Sequence, residues 1–117
     1  MVVRIPTIDR TTHRNSILAT WSGLANGDTG APIQEPAFAD RTVQISGTFG
    51  SGGSITLQGS NDGTNFVALT DGQGNAVTKL AAAMEVIEEC PRYVRPSVTA
   101  GDGTTALVVT MWARRGR

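Results

Sequence analysis

One cysteine, one histidine and one lysine are all that this sequence holds of three residue types on which much protein chemistry rests. With Cys90 alone, an internal disulfide framework is excluded, and a disulfide-stapled secreted module is not expected. His13 lies beside Arg10 and Arg14 in a stretch without periodicity, whereas a general base needs a fixed partner and a cleft. Cys90 follows two glutamates, poor company for a reactive thiolate, and reads as a small buried packing residue. The catalytic set is therefore expected to be empty, and the chain is not expected to be an enzyme. Long apolar runs are missing too. No stretch approaches transmembrane length, and the N-terminus lacks the apolar segment of a signal peptide. The expectation is a protein made in a cytoplasm, soluble, with no membrane partner.

Glycine, by contrast, is abundant: 14 of 117 residues, while apolar residues make up 39%. That balance suits short strands joined by glycine turns rather than a helical bundle, and the length fits one domain. Charge sums to zero but is unevenly placed. Residues 1–14 carry +2 through Arg4, Arg10 and Arg14, the last four carry +3 through Arg114, Arg115 and Arg117, and the body between carries −5. An acidic body with two basic ends suggests electrostatic hooks onto an acidic protein surface, since arginine offers bidentate pairing to carboxylates. The bland alternative is a pair of solubilising tails.

The residue order divides the chain into an extended arm over 1–14, a sandwich domain over 15–113 and a basic tail over 114–117. In the arm, Pro6 and three threonines sit among arginines with no apolar period. Ile17, Ala19 and Trp21 then alternate with polar neighbours as a first strand. In 41–49, Val43, Ile45, Gly47 and Phe49 share one face, with Thr42, Gln44, Ser46 and Thr48 on the other. Ile55 and Leu57 continue the alternation, Asp62-Gly63 marks a tight turn, and 66–69 returns. A short strand follows over 76–80. The 81–89 stretch has helical composition, but Pro91 and the short neighbours favour a strand. Pro96 suggests an edge or a bulge within the strand around Tyr93–Val98. In 105–113, Leu107, Val109 and Met111 face one way and Val108, Thr110 and Trp112 the other. About eight short strands at near-regular spacing predict an all-β fold, an antiparallel β-sandwich of jelly-roll type.

Sites for small ligands are scarce. Asp62, Asp71 and Asp102 all lie in glycine turns, where aspartate serves turn geometry as readily as calcium, and no EF-hand spacing occurs. No metal and no cofactor is expected. Residues 47–53 lack the Lys-Ser/Thr ending of a phosphate loop. Three terminal arginines without a basic sheet face make a weak case for nucleic acid, which is not an expected partner. Trp21, Tyr93 and Trp112 are candidates for an interface between copies, with stacking on sugars as the other use of such rings.

The segment Ser60-Asn61-Asp62-Gly63-Thr64-Asn65-Phe66 with its preceding strand, and the segment from Glu89-Cys90-Pro91-Arg92-Tyr93 to Pro96, resemble a hairpin and its partner strand. Such a hairpin occurs in phage structural proteins and in discoidin-like sugar-binding sandwiches. In pattern, 41–113 resembles the small decoration (cement) proteins of tailed-phage heads. That resemblance implies a jelly-roll-type protein on the outer head surface of the virion, assembled as a dimer or trimer and bound to the major capsid protein across neighbouring capsomers. Arg4, Arg10, Arg14, Arg114, Arg115 and Arg117 are the expected partner-binding groups. The alternatives are another virion component (neck, tail or fibre-associated) and a carbohydrate-binding module.

Overall fold

A computed structural model describes residues 2–10 and 15–115. Eleven strands are present among them: β1 (Val3–Arg4), β2 (Thr7–Asp9), β3 (Ser16–Leu24), β4 (Thr29–Gly30), β5 (Asp40–Thr48), β6 (Ser54–Ser60), β7 (Val67–Ala68), β8 (Thr78–Lys79), β9 (Ala83–Ile87), β10 (Tyr93–Ala100) and β11 (Ala106–Arg114). They form two sheets. One runs β1-β4-β10-β6-β7 with β8 also on β6; the other runs β2-β3-β11-β5-β9. All pairings are antiparallel except β1 with β4. No helix among the described residues is long and apolar enough to cross a membrane. The architecture is the all-β, jelly-roll-like sandwich that the strand pattern predicts.

Period-2 alternation drives this result. On β11, the central strand of the second sheet, Leu107, Val109, Met111 and Ala113 are buried. They meet Ile17, Ala19 and Trp21 of β3 and Val43 and Ile45 of β5. Ile55 and Leu57 of β6 and Val94 and Val98 of β10 supply the opposing layer. Each fully buried Val, Leu, Ile or Met among them contributes roughly 1.5–3 kcal/mol relative to exposure. The 81–89 stretch is a strand, β9, because its register against β5 sends Ile87 inward beside Arg41. One face assignment differs: Gly47, expected on the buried side, is exposed at φ +103°, which ends the alternation after Ile45. Pro96 sits inside β10, and that strand's register shift falls between Val98 and Ala100.

Within the arm expected over 1–14, Val3–Arg4 and Thr7–Asp9 are paired strands, with Ile5 between them 84% exposed. β1 adds to the first sheet and β2 to the second, so the segment crosses from one layer to the other and closes that side of the sandwich. Backbone pairing and a distant carboxylate hold it, and neither leaves a periodic signature. Buried Asp28 accepts hydrogen bonds from the Val2 amide (3.0 Å), the Ala25 amide (2.9 Å) and Arg4 Nε (3.0 Å). At the opposite side, Lys79 of β8 pairs with Glu85 of β9, again linking the two sheets. The expected tail also differs, since β11 runs through Arg114 and the Arg115 amide bonds Asn15 O at 2.9 Å. His13, Arg14 and Arg117 lie outside the described residues.

Trp21 was an interface candidate and is a core residue instead, 0% exposed, with Nε1 donating to Ala31 O at 3.0 Å. Gly30 lies against it: a Cβ there would stand 2.5 Å from Trp21 Cδ1 and 2.6 Å from Pro96 Cδ. Gly30→Ala is therefore expected to destabilise the fold by about 1–3 kcal/mol, the usual cost of overpacking, as read by urea unfolding.

The turn aspartates carry a pH dependence. Asn65 and Thr64 amides, with the Asn65 and Ser60 side chains, hold the Asp62 carboxyl well below the ordinary carboxylate range. Gln73 and Asn75 amides lower Asp71. The Thr104 hydroxyl and the Ser51 amide bring Asp102 from 3.8 to about 2. Burial pushes Asp28 up, but the Ala25 amide, Arg4 and the Val2 amide outweigh it and leave it lowered. Carboxyls depressed in the folded state release their protons more readily there, so their stabilisation is complete above the unfolded pKa. Thermal melts should be flat down to about pH 5 and fall below about pH 4 toward the Asp102 value of about 2. Melting temperatures that rise on acidification would contradict this assignment.

Candidate functional site

Two surfaces gather the residues with chemistry to offer a partner. The first is the outward face of the second sheet. Residues directly opposite in an antiparallel pair share a face. The register therefore lays out one cross-strand row of Asp9, Leu18, Trp112, Thr42 and Val86, and a second of Thr7, Thr20, Thr110, Gln44 and Met84. Trp112 is half-buried at the centre of its row, flanked by Leu18 and Thr42, and Met84 is 63% exposed at the edge. The alternation in 105–113 placed Trp112 on this face. Leu18, Val86 and Met84 join it only through strand order, which no single strand's pattern contains.

The second surface is the Glu35–Asp40 loop and its arginines. Arg41 is 1% exposed, the one charged residue among the largest fully buried side chains. Its Nε donates to Phe38 O and its Nη2 to Glu35 O, both at 2.7 Å, which pins the loop to the inner face of β5. Charge-assisted bonds of this kind are what a buried guanidinium requires. Around the pinned loop, Arg10 pairs with Glu35, Arg114 with Asp40, and the Arg115 guanidinium lies 4.7 Å from the Phe38 ring centre. Basic groups from both ends of the chain thus meet at one place. Arg4 is apart from them, tied to Asp28.

Tyr93, the remaining interface candidate, is half-buried at the start of β10, with Arg92 5.1 Å from its ring centre. Gly63 stands beneath that ring at φ +77°, the left-handed conformation the Asp62-Gly63 turn demands. Cys90, expected to be buried, is exposed, its thiol 3.5 Å from Pro36 O. The reason is topological: the 88–92 connection between β9 and β10 runs over the surface beside the Ser60–Phe66 turn. There a cavity of about 400 Å³ opens, with Asn61, Asn65, Val67, Leu69, Glu89 and Pro91 in its wall. Both segments that carry the family resemblance border it. Asp62, Asp71 and Asp102 each accept hydrogen bonds within their own turns.

No family model matches the chain, and no curated protein matches it in sequence. Among solved structures it is similar to the SPBc2 prophage-derived protein YomS, 15% identical, with 84% of this chain and 93% of that one aligned at a TM-score of 0.64. KdgF from a Halomonas species aligns at 12% identity over 95% of this chain and 78% of that one, TM-score 0.46. The cupin domain of Cnp3 from Schizosaccharomyces pombe aligns at 7% identity over 95% and 60%, TM-score 0.45. The likeness to YomS, at this identity, is one of fold: the chain shares its sandwich with a protein of prophage origin.

Proposed function

We propose that this chain is a structural component of a tailed-phage particle and, within it, a decoration protein on the outer surface of the head. It binds the major capsid protein, spans neighbouring capsomers and acts as a dimer or trimer; it works by binding, not by catalysis. The observation that carries this reading is the fold shared with a prophage-derived protein along 93% of that protein's length. The arginine arrangement gives it a mechanism. The side chains of Arg10 and Arg114 are 54% and 62% exposed, whereas those of their partners Glu35 and Asp40 are 12% and 26% exposed. Each guanidinium has further donors on its solvent side, so it can bind a capsid carboxylate without giving up Glu35 or Asp40. Arg4 is different, because releasing it would strip a buried carboxylate, so it holds the fold. The outward face centred on Trp112 is the contact between copies.

Purified particles of the encoding phage, quantified by mass spectrometry against the major capsid protein, should contain hundreds of copies, since only the head lattice offers so many equivalent sites. A handful of copies would move the protein to the neck, tail or fibre, and absence would end the virion reading. Trp112→Ala is expected to convert the oligomer to monomer in sedimentation velocity with an unchanged β-sheet circular dichroism spectrum. An unchanged sedimentation coefficient would remove Trp112 from the interface. Arg10→Ala combined with Arg114→Ala should weaken capsid binding at least tenfold while leaving the melting temperature within a few degrees.

A further inference from the structure

The cavity beside the Ser60–Phe66 turn has a donor–acceptor pattern that selects a ligand class. The Arg92 amide can only donate, so the Asn61 atom facing it at 3.0 Å is Oδ1, and the Nδ2 amine is left over. The Asp62 carboxylate can only accept, so the Asn65 atom facing it at 2.8 Å is Nδ2, and Oδ1 is left over. One wall thus offers a free amide donor and a free amide acceptor within five residues of sequence. Across from them, Glu89 accepts from the Thr70 amide at 2.8 Å and from the Thr70 hydroxyl, and each of its oxygens keeps accepting capacity. Burial pushes the Glu89 carboxyl up, but these two bonds outweigh it and keep it ionised at neutral pH.

Val67, Leu69 and Pro91 supply the apolar part of the lining. The floor is set by Gly59: a Cβ there would stand 2.5 Å from Pro91 Cγ and 2.7 Å from Leu69 Cδ2, so only glycine lets these side chains close beneath the cavity. The volume of about 400 Å³ lies within the range of small-molecule sites, about 300–1,000 Å³. A mixed set of donor and acceptor beside an apolar wall matches hydroxyl groups, which donate and accept, on a ring with C–H faces. A phosphate or sulfate would meet the Glu89 carboxylate with no cation in the lining, and a guanidinium or ammonium would leave the Asn61 donor opposed to another donor.

We infer that this cavity is a binding site for a neutral saccharide, held by the Asn61 amine, the Asn65 carbonyl and the Glu89 carboxylate against Val67, Leu69 and Pro91. No residue of the Trp112 face and none of the loop's arginines lines the site, although Cys90 at its border meets the loop at Pro36 O, and the site stands or falls independently of the virion reading.

Cys90, the sole cysteine, borders the cavity and reports its occupancy. The full chain is applied to an array of neutral mono- to tetrasaccharides, and binders are then tested at millimolar concentration for slowing of N-ethylmaleimide addition to Cys90. At least one neutral saccharide should bind and slow the addition severalfold. Val67→Lys, at a position 67% exposed and thus safe for folding, should abolish both effects. Asn61→Asp keeps the acceptor for the Arg92 amide but turns the free donor into an acceptor, and should weaken binding about tenfold. Ile5→Ser, at a position 84% exposed and outside the lining, should leave binding and protection unchanged. The proposal fails if no saccharide protects Cys90, if inorganic phosphate protects it equally, or if binding survives both cavity substitutions or is lost in Ile5→Ser.

Discussion

The two sheets are held at their spacing by one indole. Trp21 projects from β3 into the core, and its Nε1 reaches across to Ala31 O, just beyond β4 of the opposite sheet. A buried Trp N–H needs such a partner, and the carbonyl satisfies it at the far layer. The ring occupies the space in which a side chain at residue 30 would stand, so β4 must carry glycine there. The first strand depends on this contact in turn. Arg4 pairs with Gly30 in the parallel β1–β4 ladder, and Val3 with Thr29. A displaced β4 would take β1 with it, and with β1 the crossover that seals one side of the sandwich.

A second buried group organises the opposite chemistry. Arg41 stands on the inner face of β5 among Val43, Ile87 and Ala113, in a position the alternation assigns to an apolar side chain. Its carbonyl partners at Glu35 and Phe38 belong to a loop with no strand of its own. Once that loop is fixed, its own side chains become fixed acceptors. Glu35 takes Arg10 and the Phe38 ring takes Arg115, while Asp40, the first residue of β5, meets Arg114 through the β5–β11 register. Ends of opposite origin in the sequence converge because strand register brings Arg114 to Asp40 and an interior cation orders the loop that presents Glu35 and Phe38. A charge that burial ordinarily disfavours thus sets the geometry of the exposed ones.

The parts legible from sequence are those whose cause is local. Val43 and Ile45 against Thr42 and Gln44, and Leu107, Val109 and Met111 against Thr110 and Trp112, state their faces outright, and the structure keeps them. The 81–89 stretch is a harder case, because Ala, Met and Glu favour helix; register against β5 overrides that preference. The parts that stayed hidden depend on distance. Val3–Asp9 has no period, yet it is paired in both sheets through Thr29, Gly30 and residues 18–20. Trp21 could be a core or an interface ring on alternation alone, and the Ala31 carbonyl that decides it is ten residues away. Cys90 is exposed because of where the β9–β10 connection passes, which composition does not express. The cavity needed both resemblance segments side by side, and sequence supplies each only separately.

The ion pairs sort into two kinds by what lies beneath them. Asp28 is buried and takes three donors, so its carboxylate belongs to the folded state and constrains the segment that binds it. Arg10 and Arg114 are solvated, and their present partners hold them near the Glu35–Asp40 loop without committing them to it. Their guanidinium heads face solvent, whereas Glu35 and Asp40 beneath them are 12% and 26% exposed. An acidic body gathers cations in one place this way, which is where the acidic partner surface of the proposed function would meet them rather than the repulsive remainder. The fold thus separates a cation that ties the first strand to a buried carboxylate from cations whose heads face solvent.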